Sequence, residues 1–403
     1  MNLQKFSTSE RVRLQALPIL FGLGVMSTVP RTADLKENLG LANGAFGTVL
    51  SFGAVGSLIS LFVIGTLVHK LTVRKSLHLF ALLTYGLMLS WPHIHNPVIF
   101  FVANMTMAFS WSGYNISILT HGLARQKQTG QSLLGLIHGG WSIGVLITTL
   151  FALWATSKLS FAVHIDLVMS LVLIASQILI YSLKDTFAAH EDEQVPEIKI
   201  NLKTVFTNMT FDKTLNLAFI LGTIMEYTSN DWVTLLAHQE LGFSKAHSVI
   251  PYLVFIIMMI VGRVFLNKIV RIRPERFWLI IASQVGSLGF MALLHLTFFL
   301  QGRVGQNVLL ALFCLSFACA GFGTSFMAAI MMNAGIRRNH LAASTIMARM
   351  NFSNVILAFV AKLLFAWVAQ SFSILAAFTI PALMLFGVTF LNYIASPRLA
   401  SAK

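Results

Sequence analysis

The sequence predicts an all-α membrane protein whose twelve transmembrane helices form two pseudo-symmetric six-helix bundles. Three observations carry this. Of 403 residues, 56% are apolar and only 10% charged, whereas soluble domains carry about 25% charge. Apolar stretches of about twenty residues, enough to cross a bilayer as a helix, recur along the whole chain. The second half also repeats features of the first.

In order, the apolar stretches run at 14–30, 45–68, 75–92, 97–121, 131–155 and 162–183, then at 214–237, 247–268, 277–298, 306–332, 342–368 and 373–395. The first follows a polar, basic N-terminal stretch that ends at Arg13 and lacks a cleavable-signal pattern, so it is expected to be a span. The second ends at His69-Lys70, and Arg74 and Lys75 precede the third. Arg125 and Lys127 separate the fourth from the fifth, and Lys184 closes the sixth. The polar stretch 184–213, which contains His190-Glu-Asp-Glu193, is the single long linker. It divides the chain into an N-terminal bundle (1–183) and a C-terminal bundle (214–403). Lys268, Arg271, Arg273 and Arg276 then separate spans eight and nine, and Arg337 and Arg338 follow span ten.

The net charge of +14 lies between apolar stretches rather than on one patch, which argues for a topology signal and against nucleic acid. With the N-terminus placed inside, twenty Lys and Arg fall in the termini and even-numbered loops. Only Arg31, Lys36, Lys158, Lys245 and Arg303 fall in the others. Both termini are therefore expected on the cytoplasmic side. Cys314 and Cys319 share one apolar stretch and form neither a disulfide framework nor a CxxC motif.

The halves match at Asn38-Leu-Gly-Leu41 and Glu240-Leu-Gly-Phe243, 202 residues apart, and at His69-Lys70 and Asn267-Lys268, 198 apart. Such a repeat implies two bundles related by an axis along the membrane normal, the arrangement of transporters with a midplane site.

Charged residues inside a span are expensive and face protein or water. Of fourteen acids, only Glu226 and Asp231 fall clearly within a span, the seventh. Glu226 and Asn230 share one helical face; Tyr227, Asp231 and Leu235 share the adjoining one. At about 1.5 Å per residue Glu226 is near mid-membrane and Asp231 nearer one interface. Either can carry a proton, Glu226 if desolvation raises its pKa. The alternative for Glu226 is a structural ion pair with Arg349 or Lys362 of span eleven. Arg31 stands at the depth on span one that Asp231 has on span seven, so the two are expected to meet and gate the cavity. Span four places Asn104, Ala108, Trp111 and Asn115 at helical spacing, with Tyr114 beside them, a polar and aromatic set suited to a small polar ligand or to helix contacts. Arg31, Tyr227, Asn230 and Trp232 join the candidate substrate residues.

The loop Gly65-Thr-Leu-Val-His-Lys-Leu-Thr-Val-Arg-Lys75 resembles the signature loop of the major facilitator superfamily at Gly65, Leu67, Lys70, Arg74 and Lys75. His69 replaces its aspartate and Thr72 its second glycine. The mirror stretch from Gly262-Arg263 to Arg271 fits loosely, with Asn267 in the acidic place. Phe21 to Leu41, with Arg31 followed by a short loop ending Leu-Gly-Leu, resembles permeases related to fucose permeases. His138-Gly-Gly-Trp-Ser-Ile-Gly144 opening span five, and Glu226 followed by Asp231-Trp232, extend that resemblance. It implies the major facilitator fold and secondary transport. Gating or packing duty is expected for Gly65, Lys70, Arg74, Lys75, Gly262, Arg263 and Arg349. His138, Gly139, Gly140 and Gly144 are read as packing between the halves.

The expected function is secondary transport of a small polar solute across a bacterial inner membrane, coupled to protons, by a monomer without cofactor or metal. Span five lacks the glycine-proline pattern of many drug antiporters, which weighs against the alternative of efflux. The absence of a nucleophile–base motif, metal-ligand spacing or a GxxxxGK[ST] loop weighs against an enzyme. A receptor on a transporter fold is the remaining alternative.

Overall fold

The computed structural model describes residues 8–129, 134–183, 212–339 and 343–395. Helices stand at all twelve predicted places. α1 covers 8–39, with a 3-10 turn at Met26–Arg31, and α2 covers 43–70. There follow α3 (Val73–Ser90), α4 (Pro97–Thr129), α5 (Leu134–Lys158) and α6 (Phe161–Tyr181). The second half holds α7 (Lys213–Gln239), α8 (Lys245–Ile269), α9 (275–300), α10 (306–338), α11 (Ala343–Ser371) and α12 (374–395). No strand occurs among the described residues. Among those residues, nine helical stretches are long and apolar enough to cross a membrane. Of the other three, α4 and α7 carry the polar side chains that the sequence marks as candidates.

Local chemistry sets the helix ends. Thr72, Ser160, Asp212 and Ser244 each accept a backbone N–H three residues on, which caps α3, α6, α7 and α8. The two copies of the Leu-Gly repeat do the opposite job. Gly40 (φ +62°) ends α1 and Gly242 (φ +71°) follows α7 in the left-handed region that favours glycine.

The described residues fall into two compact units, one within Met1–Leu41 and Val49–Ile200, the other within Ala42–Thr48 and Asn201–Lys403. In the first, α1 packs on α5 and α6, α2 on α4, and α3 on α4 and α6. The second repeats these pairings with each number raised by six: α7 on α11 and α12, α8 on α10, and α9 on α10 and α12. Most of the predicted linker, 184–211, lies outside the described residues. Small residues let the helices approach. A Cβ on Gly144 would come within 2.1 Å of Ile19 O, and one on Gly22 within 2.3 Å of Trp141 O. Gly140 and Gly144 therefore pack α5 onto α1 within the first unit, which corrects the expectation that they pack between the halves. Gly139 has open space beside it, and the side-chain surroundings of Gly65 and His138 lie outside the described residues.

Candidate functional site

The second unit gathers polar side chains around α7. Glu226 lies midway along the 27-residue helix. Arg263 Nη2 of α8 donates to Glu226 Oε2 at 2.8 Å. One turn on, Asn230 Oδ1 accepts from the Tyr252 hydroxyl, also of α8, at 3.2 Å. The adjoining face turns to α11. The Tyr227 hydroxyl accepts from Asn354 Nδ2 at 2.7 Å, and Asn354 Oδ1 accepts from the Thr223 hydroxyl at 3.1 Å. Asp231 Oδ2 lies 2.6 Å from Lys362 Nζ. The i, i+4 spacing thus assigns Glu226 and Asn230 to α8, and Tyr227 and Asp231 to α11.

Both ion pairs keep part of their surface open: 22% of the Glu226 side chain, 34% of Arg263, 21% of Asp231 and 22% of Lys362. Carboxylate and cation each cost several kcal/mol to bury alone, so pairing is what allows four charges on helices of this length.

Arg31 behaves differently. Only 2% exposed, it donates from Nε to His164 Nδ1 at 2.9 Å, from Nη1 to Asp34 at 3.3 Å, and from Nη2 to the Ala155 and Leu159 carbonyls at 2.8 and 2.7 Å. Its ion pair is with Asp34, and that of Asp231 is with Lys362. This differs from the expected pairing of Arg31 with Asp231: each has an opposite charge inside its own unit. Arg31 ties the end of α1 to α5 and α6.

Span four divides likewise. Asn104 is buried and donates from Nδ2 to Val49 O at 2.9 Å and Leu50 O at 3.3 Å, so it holds α4 to α2. Tyr114 is fully buried, edge-on to Phe21 and Tyr85. Trp232 is also core, packed against Phe46 and Phe365. Trp111 and Asn115 remain open to contact. Trp111 is half-buried, with its ring parallel to that of Trp141 at 6.1 Å, and Asn115 is exposed.

A family model described as Major Facilitator Superfamily matches residues 17–361. The chain belongs to the major facilitator superfamily. Solved structures agree on the fold. A nucleoside transporter, NupG, superposes with a TM-score of 0.74 at 13% identity, covering 98% of this chain and 98% of that one. A D-xylose–proton symporter gives 0.72 at 12% identity, with 95% and 96% covered. A bacterial homologue of the human lysosomal transporter Spinster gives 0.67 at 11%, with 97% and 96% covered. A search of curated proteins returned no match.

For this major facilitator protein the remaining predicted residues sort as follows. Lys70 and Lys75 are exposed, and Arg74 lies over the Tyr181 ring at 5.3 Å. Gly262 packs against Ser325 of α10. Arg349 is half-buried on α11. Glu226 pairs with Arg263 rather than with Arg349 or Lys362, because α8 covers its face of α7. Sequence reading missed Tyr252, Asn354 and Trp141, and did not link Arg263 or Lys362 to their acids. One signal was available: of 28 Lys and Arg, only Arg263, Arg349 and Lys362 fit no loop or terminus. Intramembrane cations in that number call for intramembrane acids.

Proposed function

We propose that this protein is a secondary active transporter that carries a small, uncharged polar solute across a bacterial inner membrane by alternating access, coupled to protons. The observation that supports it best is the doubled ion pair on α7, Glu226–Arg263 and Asp231–Lys362. Each carboxylate can be neutralised by a proton, which releases its cation from a close electrostatic hold. A proton is therefore exchanged for a rearrangement between α7 and α8 or α11, which is what coupling requires. The pairs are internally neutral, so a charged solute would have to break one of them. An uncharged solute with several hydroxyls can instead use the half-buried amide and phenol beside them, Asn230 and Tyr227. Among proteins of similar fold, one is a nucleoside transporter and another a D-xylose–proton symporter, in keeping with this class.

The twenty-to-five distribution of Lys and Arg supports cytoplasmic termini and a cytoplasmic 184–213 linker. The decisive experiment is uptake into proteoliposomes of purified protein under an imposed proton gradient, with labelled nucleosides and pentoses as probes. Glu226→Gln should abolish gradient-driven accumulation yet leave counterflow exchange. Full, pH-dependent accumulation by that variant would remove Glu226 from the mechanism.

A further inference from the structure

We propose that the loop joining α8 to α9 binds the headgroup of anionic phospholipids. Lys268, Arg271 and Arg273 are exposed there within six residues. Among the described residues none of the three has a carboxylate partner. The acid next in sequence, Glu275, is bound by Arg337, and Arg276 donates to Asn392. The three cations are also held in place. Arg273 N donates to Ile269 O at 3.1 Å and Ile272 N to the same carbonyl at 3.0 Å, and the Trp278 indole N–H closes on it at 2.9 Å. Lys268 Nζ sits 5.3 Å from the centre of the Phe265 ring, and the Arg273 guanidinium 5.8 Å from that of Phe277. Aromatic faces attract cations and restrain these long side chains, so less freedom is lost when an anion arrives.

Large apolar side chains frame the cations. Val264 is 67% exposed, Phe265 46%, Ile272 73% and Phe277 41%. A loop meant only for water gains nothing from an isoleucine between two arginines. At the boundary of a bilayer the combination is coherent: the rings and aliphatic groups reach the acyl region while the cations meet lipid phosphate. Topology alone accounts for positive charge on such a loop. It does not account for cations that have no acid partner among the described residues and are braced on exposed rings.

The test uses the full-length protein purified in a neutral detergent. Dioleoyl-phosphatidylglycerol or dioleoyl-phosphatidylcholine is added, with bound lipids counted by native mass spectrometry and the unfolding midpoint followed. Phosphatidylglycerol should bind and stabilise more than phosphatidylcholine, and the difference should shrink as salt rises. Replacing all three cations (Lys268→Gln, Arg271→Gln, Arg273→Gln) should weaken phosphatidylglycerol binding by about fivefold per charge removed, with the response to phosphatidylcholine unchanged. Arg271→Lys with Arg273→Lys should keep most of it. If the triple variant does not fold, Arg271→Gln alone is read the same way, with about a fivefold loss expected. Equal responses to the two lipids, or undiminished phosphatidylglycerol binding after charge removal, would overturn the proposal.

Discussion

Lys362 Nζ lies 2.6 Å from Asp231 Oδ2, so α11 neutralises one acid of α7 while α8, through Arg263, neutralises the other. Two acids five residues apart thereby report to two different neighbouring helices.

Breaking one partner of a pair leaves a charge in a poorly solvated place, whereas removing both leaves none. Asp231→Asn and Lys362→Met should each lower the stability of the purified protein, by roughly 1–3 kcal/mol after allowing for their partial exposure. The double variant should recover at least half of that loss. A thermal-unfolding double-mutant cycle checks it, and strictly additive effects would show that the two residues do not interact.

Arg263→Gln should resemble Glu226→Gln in transport, since each leaves the pair without its attraction. Arg263→Lys keeps the charge but not the guanidinium geometry and should retain part of the activity. Gradient-driven uptake measured beside counterflow separates loss of coupling from loss of binding.

Arg31 serves four acceptors, which no other side chain can reach at once. Arg31→Lys should destabilise the protein by at least about 2 kcal/mol, since several buried acceptors lose their donors. Exchanging the charges of Arg31 and Asp231 should not restore function. Recovery of transport in the exchanged variant would revive direct pairing of the two residues.

Gly144 leaves no room for a side chain against Ile19 and Leu23. Gly144→Val should force α5 from α1 and cost on the order of 1–3 kcal/mol or more, seen as a lower unfolding midpoint. Gly139→Ala, beside open space, should be nearly neutral.

The spans were legible because hydrocarbon admits few solutions: about twenty apolar residues, closed by polar or basic ones. Glu226 and Asp231 stood out for the same reason, and helical spacing gave their faces. Which neighbour would cover each face was not legible, because it depends on how helices far apart in sequence pack. Asn104, Tyr114 and Trp232 show the limit. A polar or aromatic residue in a span looks alike whether it meets a ligand or another helix, and these three meet helices. Arg31 shows another limit: equal depth suggested Asp231 as its partner, while Asp34 was three residues away.

The left-handed glycines at Gly40 and Gly242 have a consequence for the charged residues upstream of them. Each is the datum from which positions on its helix are counted. Asp231 stands eleven residues before Gly242 and Arg31 nine before Gly40, and a helix turns through about 100° per residue. One residue inserted between Asp231 and Gly242, with the stop held fixed, would swing Glu226 about a quarter-turn away from Arg263 and lift it about 1.5 Å. Two glycines would thus decide, by where they halt the chain, which way the charged side chains upstream of them point.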